Sequence, residues 1–111
     1  MTDKTLAALD ASIAHWDDNA KAETPADAST GADACALCRD FVLKTCDGCP
    51  VASRAGRPFC NGTPYAEARA WFFKWCLYRT PKSAAAFRAA ATAERDFLTE
   101  TRQMYLDGKL T

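Results

Sequence analysis

Two Cys-x-x-Cys pairs, Cys35–Cys38 and Cys46–Cys49, stand only seven residues apart in this chain of 111 residues, and Cys60 follows them. Two such pairs can supply the four thiolates of a tetrahedral metal site, because each short turn brings both sulfurs to the same side. Five of the six cysteines lie between positions 35 and 60. The spacing therefore predicts a cysteine-rich metal-binding region over residues 34–62, with ligands drawn from Cys35, Cys38, Cys46, Cys49 and Cys60.

Structural zinc is the favoured metal, and a 4Fe-4S cluster is the alternative. In one continuous helix Cys38 and Cys46 would stand about 12 Å apart at 1.5 Å per residue, whereas sulfurs on one zinc ion lie within about 4 Å of each other. Either the chain turns back before Cys46, or Cys60 replaces one of the four ligands. A cluster spreads its ligands more widely, and Cys49-Pro50 matches the Cys-Pro ending of ferredoxin ligand runs.

Other uses of the cysteines stay open. Six cysteines can pair as disulfides, or they can be reduced and buried as small apolar side chains. A thiol redox enzyme normally places Cys-x-x-Cys at the start of a helix after a strand, and no βαβ pattern is present. We expect a cytoplasmic protein, since neither a signal sequence nor an apolar run of about 20 residues is present, and thiolates there serve mainly as metal ligands.

Helical periodicity outside the cysteine-rich region predicts an all-α, single-domain fold over residues 1–111. Apolar residues at spacings of three and four mark an amphipathic first helix, and a small, polar linker follows over residues 23–33. Thr-Pro dipeptides and Asp107-Gly108 delimit a helical hairpin over residues 63–107. About four helices are predicted around a metal-stapled cysteine-rich loop, over residues 3–22, 34–45, 64–79 and 81–106, with residues 50–62 as part of that loop.

Charge is unevenly distributed although the formal net charge is zero. Residues 1–33 carry seven acids and two bases, whereas residues 34–82 carry eight bases and three acids. Basic side chains interleaved with aromatic ones can contact phosphates and stack on bases. We predict that an acidic protein or a nucleic acid binds here, through Arg54, Arg57, Arg69, Lys74, Arg79 and Lys82. The competing interpretation is that the acidic first helix neutralises this basic segment.

Several aromatic residues, the histidine and the sixth cysteine are expected to have structural roles. Trp71, Phe72 and Trp75 share a helical face and are expected in the core, which leaves Phe73 and Tyr78 as the exposed aromatic residues. The lone histidine, His15, is expected to be a packed or half-exposed imidazole, since a metal ligand would normally have a partner of its own type. Cys76, in the middle of a helix, is expected to fill core space.

Three classes of function follow from these features. The favoured one is a small metal-binding interaction or adaptor protein, and no membrane partner is expected. An enzyme is disfavoured, because the cysteines lack a neighbouring carboxylate pair and the chain has no glycine-rich phosphate loop or nucleophile elbow. A homodimer formed through the alanine-rich faces of the last helix, at 84–86 and 89–91, is the third.

The cysteine motif also carries a resemblance. The pattern Cys-x-Leu-Cys-x-x-Phe, then Cys-x-Gly-Cys-Pro-Val, then Cys-x-Gly-Thr-Pro-Tyr resembles small uncharacterised proteins of bacteriophages and prophage regions. The resemblance covers about residues 35–65, together with the stretch from Ser12 to Trp16. It implies an accessory protein and not a housekeeping enzyme, and it brings no assigned activity or functional residues.

Overall fold

The computed structural model of the protein describes residues 3–30, 49–56 and 62–110. These residues contain four α-helices, one 3-10 turn and no strand, so the predicted all-α class is confirmed for this part of the chain. The elements are α1 (Lys4–Ala20), the 3-10 turn (Pro25–Asp27), α2 (Pro50–Ala55), α3 (Pro64–Tyr78) and α4 (Pro81–Leu106). Outside the described residues lie the predicted helix over 34–45, Arg57, Cys35, Cys38, Cys46 and Cys60.

The ends of the long helices follow local capping signals. The Thr80 hydroxyl accepts the Ser83 N–H at 3.1 Å and the Ser83 hydroxyl accepts the Thr80 N–H at 3.1 Å, which is a reciprocal cap. Gly108, at φ +72°, follows the last turn, so the predicted bounds 81–106 are confirmed. The first helix is slightly shorter than the predicted 3–22, and the Asp3 carboxylate caps its start by accepting the N–H groups of Thr5 and Leu6.

The predicted loop over 50–62 is wrong at its beginning, because residues 50–55 form α2. Pro50 occupies the first helical position, and Gly56 ends the helix at φ +71°. Six residues are too few to show a helical period in the sequence. A helix this short is not stable alone, so it depends on packing against the rest of the protein. Val51 is buried, and Arg54 fixes the helix to α4.

The long helix α4 is the central element, and α1 and α3 pack along it. Its buried side chains recur at spacings of three and four residues, which is the pattern of a coiled-coil seam. The seam consists of Ala84, Phe87, Ala91, Glu94, Leu98 and Thr101, and Ser83 and Ala90 beside it are also buried. The alanines at 84, 90 and 91 are therefore buried inside the chain, and the alanine-rich face predicted for dimerisation is partly used by the fold itself.

Helix α1 runs antiparallel to α4. Tyr105 Oη donates to the Asp3 carboxylate at 2.8 Å near one end, and Arg88 Nε donates to the Ala22 carbonyl at 3.0 Å near the other. Between these contacts Arg102 and Arg95 of α4 pair with aspartates of α1. Charged contacts therefore flank the α1–α4 seam along its length.

Aromatic rings dominate the core between α3 and α4. Phe87 of α4 is fully buried and lies between two rings of α3, with centroid distances of 5.4 Å to Trp75 and 5.6 Å to Phe72. Trp75 is buried, whereas Phe72 and Trp71 are only partly buried. The expected core face of α3 is thus confirmed for Trp75 and holds in part for the other two.

Side chains from two helices, α1 and α3, hold the segment that follows α1. Asn19, which is buried, donates to the Ser29 carbonyl at 2.9 Å and accepts the Ser29 N–H at 3.2 Å. His15 Nε2 donates to the same carbonyl at 2.9 Å. The imidazole is half-buried, as expected, and helps to hold this segment. Tyr65 Oη donates to the Thr30 carbonyl at 2.5 Å. These contacts place the 3-10 turn against α3.

Candidate functional site

A groove of about 290 Å³ lies where α3 ends and α4 begins. We call this part of the protein, residues 71–83, the hairpin tip. Its groove combines two lysines with two aromatic side chains, a serine and a threonine. The lining residues are Trp71, Lys74, Tyr78, Thr80, Lys82 and Ser83.

The two aromatic side chains of the groove differ in what they offer a ligand. Lys74 Nζ lies 4.4 Å from the centroid of the Trp71 ring, so one face of the indole is covered by the lysine ammonium group. The indole therefore forms one side of the groove. Tyr78 is 68% exposed and has its ring open to solvent. Tyr78 is therefore the ring on which a flat ligand can stack, with lysine ammonium groups beside it.

The positive charge of the tip has no counterpart within the described residues. From 68 to 93 the sequence has five bases and no acid. None of the salt bridges found among residues 3–30, 49–56 and 62–110 involves Lys74, Arg79 or Lys82. A cluster of like charges without local acids attracts anions over a distance set by ionic strength.

The aspartates of α1 do not neutralise the tip. Asp17 accepts Arg95 at 2.9 Å and Lys21 at 2.8 Å, and Asp10 pairs with Arg102. Hydrogen bonds from Lys21 and then Arg95 lower the pKa of the Asp17 carboxyl. The ion pairs of α1 therefore lie along the second half of α4. The competing interpretation, in which the first helix neutralises residues 34–82, is not supported by these pairs.

Arg79 occupies a left-handed backbone conformation, with φ 51° and ψ 36°, between α3 and α4. Its N–H donates to the Trp75 carbonyl at 2.9 Å and closes the last turn of α3. Glycine is the residue that adopts this conformation without steric cost. The chain therefore carries a cationic side chain in the tip at a position where glycine would be more stable.

The structure separates the basic residues that the sequence grouped together. Lys74 and Lys82 line the groove and Arg79 forms the adjoining turn. Arg69 lies elsewhere on α3, with its guanidinium carbon 5.4 Å from the Phe73 ring centroid. Phe73 is 51% exposed, so both aromatic residues expected at the surface of α3 are indeed exposed.

Arg54 has a structural role that the sequence did not indicate. Its guanidinium donates to the Phe97 carbonyl at 2.9 Å, to the Thr101 hydroxyl at 3.0 Å and to the Glu100 carboxylate at 2.9 Å. The same group lies 4.1 Å from the Phe97 ring centroid. We therefore leave Arg54 out of the candidate interface. Trp71 joins the candidate interface instead. The sequence signal that could have indicated this role is Lys74, three residues later on the same helical face.

One of the five predicted metal ligands lies within the described residues. Cys49 is buried, with 5% of its surface exposed, and it directly precedes α2. Pro50 and Val51 beside it are also buried, so this backbone is firmly attached to the core. Within the described residues no group of three or more His, Cys, Asp or Glu side chains is placed to hold a metal ion. Cys76 is half-buried on α3.

Comparison of the chain with protein-family models, with curated proteins and with solved structures found no match. The resemblance to bacteriophage proteins thus stays a prediction. Among the described residues, no helix combines the length and the apolar character that crossing a membrane requires.

Proposed function

We propose that this protein is a small helical binding module whose hairpin tip binds single-stranded nucleic acid. The observation that carries the proposal is the groove in which the open ring of Tyr78 lies with Lys74 and Lys82. A ring that stacks on a base and ammonium groups that contact the neighbouring phosphates are the two elements of sequence-independent single-strand binding. Arg79 adds a third cation at the turn.

The shape of the tip favours a flexible strand over a duplex. A base must be unstacked to reach Tyr78, and single strands offer unstacked bases at little cost. With about three phosphate contacts, the logarithm of the affinity should fall with the logarithm of salt concentration with a slope of about −2. An acidic protein surface would share the salt dependence but would not need the tyrosine ring.

Charge reversal at Lys82 tests the proposal. Lys82→Glu adds an acid in the first turn of α4, where the helix dipole favours it, so the fold should be unaffected. Fluorescence anisotropy with a labelled oligothymidylate should show weaker binding and a shallower salt dependence. Lys109→Glu is the matched control, because it makes the same charge change at an exposed lysine beyond the end of α4.

Substitution at Tyr78 distinguishes nucleic acid from an acidic protein. Tyr78→Ala should weaken oligonucleotide binding by about 1–3 kcal/mol, whereas Tyr78→Phe should keep most of the affinity because the stacking face remains. Polyglutamate is the competing anion. Binding of polyglutamate but not of oligothymidylate would replace the proposal with an acidic protein partner, and binding of neither at low salt would overturn it.

We propose, separately, that the cysteine-rich region holds a structural zinc ion. Cys49 supports this second proposal, because its buried side chain directly precedes α2, which Arg54 attaches to α4 and in which Val51 is buried. The other ligands would come from Cys35, Cys38, Cys46 and Cys60. A closed set of thiolates would stabilise residues 34–62, since metal binding there contributes directly to folding.

Metal content decides this second proposal. Cys49→Ser and Cys46→Ser should both lose bound zinc and lower the melting temperature, whereas Cys76→Ser, outside the cysteine motif, should retain the metal. Elemental analysis of anaerobically purified protein gives the answer. Iron with broad visible absorbance would establish the 4Fe-4S alternative, and equal zinc content in all three variants would refute the ligand assignment.

A further inference from the structure

Helix α3 carries two apolar stripes, and only one of them faces the core. The inner stripe packs against the buried core and consists of Tyr65, Ala68, Phe72 and Trp75. A second stripe lies on the opposite side, is exposed throughout, and consists of Ala66, Ala70, Phe73 and Leu77. We call this second set the outer stripe. Its spacings of four, three and four residues are those of a coiled-coil seam.

The outer stripe includes two of the most exposed large apolar side chains in the described part of the chain. Phe73 is 51% exposed and Leu77 is 76% exposed. A helix that is apolar on every side is normally buried, whereas α3 has one whole seam in contact with solvent. The stripe is continuous, so it has the form of a surface that a second helix covers.

The sizes along the outer stripe are arranged for an antiparallel partner of the same sequence. Its first half holds two alanines and its second half holds a phenylalanine and a leucine. An antiparallel second copy sets Phe73 opposite Ala70 and Leu77 opposite Ala66, so each large side chain meets a small one. A parallel copy would stack large on large and leave alanine opposite alanine.

The charges beside the stripe select the same orientation. Glu67 and Lys74 lie on one side of it, seven residues apart. In the antiparallel arrangement Glu67 of each copy lies within about 3 Å, measured along the axis, of Lys74 of the other, which makes two opposite-charge contacts. A parallel pair would instead bring Arg69 next to Lys74, and like charges would oppose it.

We propose that the outer stripe of α3 pairs with the same stripe of a second copy, antiparallel, about a twofold axis between Ala70 and Phe73. The interface is isologous, as in most small homodimers. The helix is only about 22 Å long at 1.5 Å per residue, so the contact is smaller than a standard interface and the dimer is weak and reversible. This interface is distinct from the groove, although Lys74 contributes to both.

Charge exchange between Glu67 and Lys74 tests the orientation directly. Glu67→Lys and Lys74→Glu, made separately, should each raise the dimer Kd by at least about fivefold, because both charge contacts become repulsive. The double variant Glu67→Lys with Lys74→Glu should restore the dimer. Both residues are exposed and have no salt bridge within the described residues, so the helices should keep their packing. Lys74→Glu removes the contact of the ammonium group with the Trp71 ring, which lies on the surface of α3.

Mixing the two single variants gives the sharpest result. Each alone repels itself, but one carries two lysines and the other two glutamates, so a heterodimer forms two attractive contacts. Sedimentation velocity over about a hundredfold range of concentration should show the mixture dimerising where each variant alone does not. A parallel dimer would not show this recovery, and its absence would overturn the antiparallel arrangement.

Phe73→Ala supplies the independent apolar test. It should abolish the dimer while leaving the melting temperature of the dilute protein unchanged. A wild type that is monomeric at every concentration overturns the proposal. In that case a lowered melting temperature in Phe73→Ala would indicate that the chain covers the stripe itself, and an unchanged one would indicate a different partner. The double charge variant separates this proposal from nucleic-acid binding. It should dimerise like the wild type, whereas its affinity for oligonucleotide should be lower because it lacks Lys74 of the groove.

Discussion

The two ends of α4 use charge in opposite ways. Along its second half, Arg95 and Arg102 each find an aspartate of α1, and the two helices are held in register. At its first turn, Lys82 lies beside Lys74 of α3, and neither has a salt bridge within the described residues. A paired charge fixes where one helix lies against another, whereas an unpaired one attracts an external anion.

The same contrast separates apolar side chains. Phe87 is enclosed by rings of α3 and is fully buried. Phe73, on the other side of α3, is half exposed although it is the same residue type. Residue type alone therefore does not decide what an aromatic side chain contributes to this protein.

The largest expected effect tests that contrast between phenylalanines. Phe87→Ala should reduce the free energy of unfolding by about 3–5 kcal/mol, because it leaves a cavity between Trp75 and Phe72. Phe73→Ala, measured by urea denaturation of dilute protein, should stay within about 0.5 kcal/mol of wild type. Similar losses in both variants would mean that Phe73 is covered within its own chain.

The second-largest expected effect is the difference in stability loss between two basic residues, Arg54 and Lys82. Arg54→Met should cost about 2–3 kcal/mol, because it removes three hydrogen bonds between α2 and α4 and leaves the Thr101 hydroxyl and the Phe97 carbonyl less well satisfied. Lys82→Met removes a cation with no salt bridge in the described residues and should change stability by less than about 0.5 kcal/mol. Chemical denaturation of both variants measures the difference. An equally costly Lys82→Met would place that lysine in the fold, not in the interface.

A smaller effect, of opposite sign for stability and binding, is expected at Arg79. Arg79→Gly should raise the free energy of unfolding by about 0.5–1 kcal/mol, because glycine adopts the left-handed conformation without strain. The same change should weaken oligonucleotide binding, since it removes a cation from the tip. Arg79→Asn, which tolerates this conformation without the charge, is the control. Unchanged binding in both variants would exclude the turn from the interface.

The smallest effect is a pH dependence of the α1–α4 contact. The pKa of Asp17 is lowered in the folded protein. Its ion pairs therefore stabilise the fold fully above the ordinary carboxyl pKa of about 4. This stabilisation is lost as the pH falls through the lower pKa of the folded state. Asp17→Asn should therefore lower the melting temperature slightly at pH 7, and the difference should vanish in strong acid. Asp18→Asn is the matched control. A difference that persists in acid would contradict the assignment.

Local signals allowed much of the helical structure to be predicted. The bounds of α4 follow from Thr80, Pro81 and Gly108, whose effects act through neighbouring backbone groups and do not depend on distant contacts. The same holds for Thr63 and Pro64 at the start of α3. Helix α2 could not be predicted in this way, since six residues form fewer than two turns, show no helical period, and are held by Arg54.

The candidate site could be predicted only in part. Lys74, Arg79 and Lys82 were expected at a binding surface, but nothing in the order of residues separates them from Arg54, which makes contacts 43–47 positions away. Nor could the sequence decide which bases the aspartates of α1 would neutralise. That choice depends on which helix lies antiparallel to α1.

By itself, the sequence determined the all-α class, the bounds of the hairpin and the excess of positive charge over residues 34–82. These depend on spacing, capping and composition, which act within a few residues. Only the tertiary structure decided which charges are paired, which aromatic rings are covered, and that α3 keeps one stripe for α4 and another exposed. Such choices belong to the tertiary structure because burial and ion pairing join residues that are far apart in the chain, and the packing of α1 and α3 on α4 brings them together.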